Sequence, residues 1–267
     1  MSDQSTNGDD WDAISLSRDE YVATITLSRP DAMNTFSTVM ATELDEALTR
    51  FDATNDIRAI IIDGAGPTFS AGIDLTEYRE HSSKASYESW VTGMESPFIT
   101  ITEIHTPVIA AVHGHAAANG IGLVAACDLA VATEDAKFGA TAPKVGLFCM
   151  GPAVPLMHSL PRKQCLELLL TGELIDAETA KAWGLINRVV PNGSHISAAF
   201  ELAETIGSKS PEAIQRGKSA FYEMVDMDYT TALEHSNAQF ATLCTTTEAE
   251  KGIDAFLSGN PLSTEDW

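Results

Sequence analysis

Basic residues are scarce in this chain. Only 16 lysines and arginines stand against 38 aspartates and glutamates, a formal net charge of -22 at pH 7. Such a field repels phosphate backbones and anionic lipid surfaces, so neither nucleic acid nor membrane is expected as a partner. No apolar run approaches the roughly 20 residues of a membrane span. The opening stretch from Met1 to Asp10 is acidic and polar, unlike a secretory or transit sequence, and the expected location is the cytoplasm. The four cysteines, Cys127, Cys149, Cys165 and Cys244, are too few and too scattered for a disulfide scaffold or a zinc motif. No metal and no bound cofactor are expected. Cys149 has no base beside it in sequence and reads as a small buried hydrophobe. The acidity suits molar salt, where a Debye length of about 3 Å screens self-repulsion, and the chain is expected to be halophilic.

What is present suffices for a sizeable core: 267 residues, 44% of them hydrophobic. Residues 1–12 read as a flexible acidic tail. β-Branched residues alternate over 21–27, a strand. Met40, Leu44, Ala47, Leu48 and Phe51 recur at helical spacing, with Ser37 or Thr38 as the cap. Short apolar runs at 59–62 and 108–112 read as buried strands, and the mixed, polar stretch between 75 and 106 as helices with a mobile segment. Further helices are expected over 120–127, 163–170 and 176–183, and strands over 129–132 and 186–190. From 196 the pattern is helical throughout, with Ser210 capping Pro211. The class is therefore α/β, with a core over 13–195 and an appended helical region over 196–267.

Two glycine-bearing segments, Phe69-Ser70-Ala71-Gly72-Ile73-Asp74-Leu75 and Gly114-His115-Ala116-Ala117-Ala118-Asn119-Gly120-Ile121-Gly122-Leu123, each follow an expected buried strand. Small residues let a backbone turn tightly and bring its NH groups close to a ligand. Two such turns at neighbouring strand ends can aim two donors at one oxygen, an oxyanion hole made by the amides of Ile73 and Asn119.

These segments resemble the crotonase superfamily, the enoyl-CoA hydratase and isomerase group. The likeness runs through Leu27-Ser28-Arg29-Pro30 with Ala32 and Asn34, through Thr106-Pro107-Val108, and on through Cys127-Asp128-Leu129, Lys137-Phe138-Gly139, Leu170-Thr171-Gly172 and Ala180-Lys181-Ala182-Trp183-Gly184-Leu185. The resemblance implies a spiral of repeated ββα units, a C-terminal helical region packed between subunits, and a homotrimer or a dimer of trimers. It implies an acyl-CoA ligand, with coenzyme A entering as part of the substrate. Its thioester oxygen would meet Ile73 and Asn119, and its adenosine part would lie near Arg29, Asp31, Ala32 and Asn34. Ser70, Ala71, Gly72, Asp74, Leu75, Gly120, Gly122 and Ala142 would complete the binding surface.

Family hydratases carry two glutamates that position water and move protons. Aligned through the motifs, these fall on Gly122 and Ala142, which can do neither. Standard hydration is therefore not expected, and another acid or base is needed. Asp74 either caps the next helix or acts in catalysis; His113 and His115 either shuttle protons or hold structural hydrogen bonds. Glu77, Tyr78, His81 and Lys144 are further candidates, each equally at home on a solvated face, while Asp128 matches a structural position. Arg29, Lys251 or a neighbouring subunit would supply the CoA phosphate contacts. Two readings stand: an enzyme that stabilises a thioester enolate, in the lyase or isomerase class of fatty acid metabolism, and a non-catalytic acyl-CoA-binding or regulatory relative. A serine hydrolase is not supported, because no nucleophile-elbow pattern is present.

Overall fold

The computed structural model describes residues 11–260 and 262–267; the first ten residues of the expected tail lie outside them. Nine strands, β1 (Ile14–Asp19), β2 (Val22–Leu27), β3 (Ala59–Gly64), β4 (Val108–Val112), β5 (His115–Ala117), β6 (Leu129–Thr133), β7 (Lys137–Gly139), β8 (Ile175–Asp176) and β9 (Arg188–Val190), divide between two sheets among the described residues. The larger has the order β1-β2-β3-β4-β6-β9 and the smaller β5-β7-β8. From β2 to β9 the larger sheet is parallel, and only the edge pair β1–β2 is antiparallel. The chain steps from one sheet to the other and back at β4–β5–β6–β7, the spiral of the crotonase fold.

Ten helices accompany these strands among the described residues: α1 (Thr38–Asp52), α2 (Lys84–Glu103), α3 (Asn119–Ala126), α4 (Met150–Ser159), α5 (Arg162–Thr171), α6 (Ala177–Trp183), α7 (His195–Gly207), α8 (Pro211–Met224), α9 (Tyr229–Leu243) and α10 (Thr247–Leu257). None is long and apolar enough to cross a membrane. The side chain of Ser37 caps α1 by accepting from Met40 NH at 3.1 Å. The mixed stretch before β4 is mostly one helix, α2. Pro97 inside it cannot donate to Gly93 O, and Ser96 Oγ takes that carbonyl instead at 3.1 Å, so the helix continues.

Parallel strands β3 and β4 are apolar on both faces because helices cover both. Ile60, Ile62, Val108, Ala110 and Val112 enter the main core with Leu44 and Leu48 of α1 and Leu123 of α3. Ala59, Ile61, Ile109 and Ala111 face Ala199 and Ala203 of α7. The helix α7 is thus part of the core, and the boundary expected after residue 195 falls inside it; the outer helical layer begins with α8. The small residues Ala199 and Ala203, one turn apart on α7, let it approach the sheet closely. Of the expected tail, Asp12 is tied down, its amide donating to Glu43 at 2.8 Å, as does that of Ala13 at the start of the core.

Asp128 fastens α8 to the sheet. Its carboxylate accepts from Val108 NH at 2.7 Å, Lys218 Nζ at 2.8 Å and Tyr222 Oη at 2.8 Å, and Lys218 also donates to Thr106 O at 2.9 Å. The Lys218 side chain is only 6% exposed, so its charge depends on this partner. Asp128→Ala is expected to lower the unfolding free energy by about 3 kcal/mol or more in urea titration, because it strands that cation, and adding Lys218→Met is expected to recover part of the loss. A double variant no more stable than Asp128→Ala alone would contradict this account.

Candidate active site

The two glycine-bearing segments lie side by side. Ser70 pairs with Ala116 in an isolated parallel bridge, its NH donating to His115 O at 3.0 Å and its carbonyl accepting from Ala117 NH at 2.9 Å. Gly72 has φ +100°, and a Cβ there would stand 2.5 Å from Ala118 Cβ. At Gly120 a Cβ would stand 2.5 Å from Ser70 O. Any side chain at either position would drive the turns apart. Ala118 takes φ 47° and ψ -114°, a conformation that costs a non-glycine residue about 1–3 kcal/mol and persists only where its surroundings hold it.

The amides of Ile73 and Asn119 are among those of the two turns that have no backbone acceptor among the described residues. Phe36 brackets Ile73, donating to Gly72 O at 2.7 Å and accepting from Asp74 NH at 2.8 Å. Parallel pairing turns the NH of the bracketed residue to the opposite edge, where the segment 115–117 runs. Asn119 opens α3, whose first NH groups have no partner inside the helix and carry the positive end of its dipole.

The turn over 29–34 supports the first segment from behind. Asn34 is fully buried; its Oδ1 accepts from Arg29 NH at 2.9 Å and its Nδ2 donates to Ala65 O and Thr68 O at 2.8 Å each. Ser70, equally buried, donates through Oγ to Asn34 O at 2.7 Å. Both side chains shape the turn from inside and cannot touch a ligand, contrary to the binding role expected for them. Arg29 donates to Thr35 O at 2.7 Å and pairs with Asp74 Oδ2 at 2.9 Å, while Asp74 Oδ1 accepts from the Thr76 NH and hydroxyl at 3.1 and 2.7 Å. Asp74 therefore closes a local turn onto Thr76 and braces Arg29, and does not cap the short helix over 77–80, whose N-cap is Thr76. Lys251 donates to Asp266 O, so both cations expected at the CoA phosphates already have partners. Ala71 and Ile73 are partly open, and Asp31 and Leu75 are exposed beside them.

Other candidates are placed elsewhere. The ring of His113 meets Asp63 and His195 instead of the two turns, with Nε2 at 2.9 Å from Gly66 O. His115 is exposed, and its backbone makes its hydrogen bonds. Glu77 accepts from Thr38 NH, Thr38 Oγ1 and Trp90 Nε1, which joins α1 to α2. His81 stacks on Trp90 with ring centroids 4.9 Å apart, Tyr78 packs on Tyr87 at 5.0 Å, and Lys144 pairs with Glu173 at 3.4 Å. Gly122 is roofed by Phe98 and Pro152, at 2.9 and 3.0 Å from where a Cβ would stand. Near Ala142, burial pushes the Cys149 thiol up, as suits an inert hydrophobe.

One ionisable group was not visible in the sequence. Glu95 lies on α2 one turn before Phe98, the residue that roofs Gly122, and its carboxylate packs so tightly on Gly151 that a Cβ there would overlap it. It makes no hydrogen bond or ion pair among the described residues, and burial pushes its carboxyl up. With Phe98, Ile99 and Phe221 it lines a cavity of about 560 Å³. Its only sequence signal is the three-residue spacing to Phe98.

Burial pushes the Asp74 carboxyl up, but the bonds from Thr76 and Arg29 outweigh it and hold the group below the usual carboxylate range. The stability this adds is complete above the unfolded value, about 3.9, and fades as pH falls through the folded value. Asp74→Asn is expected to lower stability at neutral pH and to leave it unchanged at about pH 2, in urea titrations across that span. An equal loss at both ends would contradict the assignment.

The sequence model of the Enoyl-CoA hydratase/isomerase family matches residues 17–263. The human enoyl-CoA hydratase domain-containing protein 3, mitochondrial, is 35% identical over 236 residues, which are 88% of this chain and 78% of that protein. A putative enoyl-CoA hydratase of Thermus thermophilus is 33% identical over 244 residues, 90% of this chain and 96% of that one. Among solved structures, an enoyl-CoA hydratase of Mycobacterium smegmatis aligns with a TM-score of 0.92 at 36% identity, covering 95% of this chain and 99% of its own. With the fold, the order of motifs and matches of this extent in agreement, the chain belongs to the enoyl-CoA hydratase/isomerase family.

Proposed function

We propose that the protein is an enzyme that holds an acyl-CoA thioester by its carbonyl oxygen between the amides of Ile73 and Asn119 and stabilises the enolate that forms there. The observation that carries this reading is the interlocked pair of turns, Gly72 against Ala118 and Gly120 against Ser70, which leaves those two amides without backbone acceptors. Thioester resonance is weak, so the α-carbon is acidic, and two donors already aimed at the developing charge are worth roughly 3 to 4 kcal/mol each. The small residues Ala71, Gly72 and Gly120 leave the thioester room to approach, with Asp31, Ala32 and Leu75 bordering the CoA side.

The family's glutamates are replaced by Gly122 and Ala142, and Glu95 takes over proton transfer. Burial pushes its carboxyl up, it has no counter-ion among the described residues, and it stands beside the residue that roofs Gly122. A carboxyl of this kind holds its proton nearer neutral pH than an exposed one, as a general acid or base requires. Hydration of crotonyl-CoA at ordinary rates is not part of this proposal. Exposed apolar residues of the outer helices, Phe221, Tyr229, Phe240 and Phe256, support the expected homotrimer or dimer of trimers, and the acidic surface supports work in high salt.

Purified protein in molar KCl is to be offered crotonyl-, 3-enoyl-, malonyl- and 3-hydroxyacyl-CoA, with products read by mass spectrometry, and butyryl-CoA in D₂O for exchange at the α-carbon. Turnover of at least one thioester, α-exchange, and a loss of roughly 100-fold or more in kcat for Glu95→Gln with KM little changed are expected. Full activity in Glu95→Gln would remove that residue from the mechanism. Binding with neither turnover nor exchange would establish the non-catalytic reading, and no binding would end the thioester assignment.

A further inference from the structure

A second cluster of reactive side chains lies on the opposite face of the large sheet. Asp63 is near the end of β3, His113 follows β4, and His195 opens α7. Period-two alternation puts Asp63 on the face of Ala59 and Ile61, and His113 on that of Ile109 and Ala111, the face that α7 covers. Both are thereby aimed at the first residue of α7. Asp63 Oδ1 stands 3.6 Å from His113 Nδ1 and 3.5 Å from His195 Nε2, and one donor atom from each residue lies within 4.8 Å of the others. Asp63 Oδ1, His113 Nδ1 and His195 Nδ1 are buried without a hydrogen-bond partner. Asp63 Oδ1 and His113 Nδ1 face each other and the Nε2 of His195, and orphaned polar atoms so placed are costly unless something joins them.

The spacing suits a cation. Around a tetrahedral ion with bonds of about 2.0–2.1 Å, neighbouring donors stand about 3.3 Å apart, close to the separations seen. His113 Nε2 lies 2.9 Å from Gly66 O, to which it donates; in the neutral ring this leaves the Nδ1 lone pair directed at Asp63. A backbone carbonyl behind the ring is the usual way a metal-binding histidine is oriented.

We propose that Asp63, His113 and His195 form a binding site for one divalent transition-metal ion of the zinc class, with a fourth position left to water. The two imidazoles and one carboxylate are ligands of that chemistry, and side chains 13–18% exposed leave a route for the ion to enter. The ion ties the ends of β3 and β4 to the start of α7. Because His113 O accepts from Phe69 NH at 3.0 Å, it also steadies the segment leading into the Gly72 turn. Residues so far apart in sequence form no spacing motif, which is why no metal was expected from the sequence.

The test uses the full chain, stripped with a chelator and held in molar KCl so that the acidic surface does not collect ions. It is titrated with ZnCl₂ by calorimetry and with CoCl₂ by visible absorption. One ion per chain, ligand-field bands of a nitrogen- and oxygen-bound cobalt, and a rise in melting temperature with zinc are expected. His195→Gln and Asp63→Asn, checked for folding by circular dichroism, are each expected to weaken binding at least about 100-fold. Should a variant fail to fold, cobalt broadening of the His113 and His195 ring signals in the native chain's NMR spectrum decides the site. No stoichiometric ion, unchanged affinity in the folded variants, or broadening elsewhere would overturn the proposal. None of these readouts involves a thioester, so the two proposals stand or fall separately.

Discussion

The parallel bridge between Ser70 and Ala116 is the contact on which the candidate site depends. It joins a loop leaving β3 to a strand of the smaller sheet, two stretches that the chain sequence separates and the spiral returns to one place. Once that bridge is made, sterics settle the rest. Gly72 and Gly120 sit where a methyl group would collide with Ala118 and with the Ser70 carbonyl, so the turns close to contact, with the adjoining amides of Ile73 and Asn119 left without backbone acceptors among the described residues. The strain in Ala118 is stored in the same place.

Buried polar groups hold this geometry from behind. Asn34 uses its side-chain oxygen and both of its amide hydrogens on backbone groups, and the Arg29–Asp74 pair links the two ends of that support across a distance in sequence that only folding closes. An ion pair of this kind contributes modestly to stability, but it fixes the direction in which the backbone enters the turn. In a chain with few cations, placing Arg29 here instead of at the surface accords with a structural task.

The sequence announces those parts of the fold whose stability is local. Ser37, Asp176 and Ser210 cap helices as their spacing indicates, and the apolar runs of β3 and β4 can be buried strands and little else. It is silent on β5, β7 and β8, two or three residues each, because such strands exist only through pairing with one another. It is ambiguous for α2 and α4, where Pro97 and Pro155 interrupt a pattern that tertiary packing carries through. The site divides in the same way. The two turns are legible because tight backbone approach demands small residues, whereas Glu95, the Asp74 brace and the Asp63–His113–His195 cluster arise from contacts between elements and leave no periodic trace.

On the proposed reading, the amides of Ile73 and Asn119 polarise one thioester carbonyl. Isotope-edited infrared difference spectroscopy of butyryl-CoA carrying carbon-13 at its carbonyl reports on that bond alone. The carbonyl stretch of the bound thioester is expected at lower frequency than in water, as donors already in position draw electron density onto the oxygen. A bound carbonyl that absorbs at or above its frequency in water would contradict it.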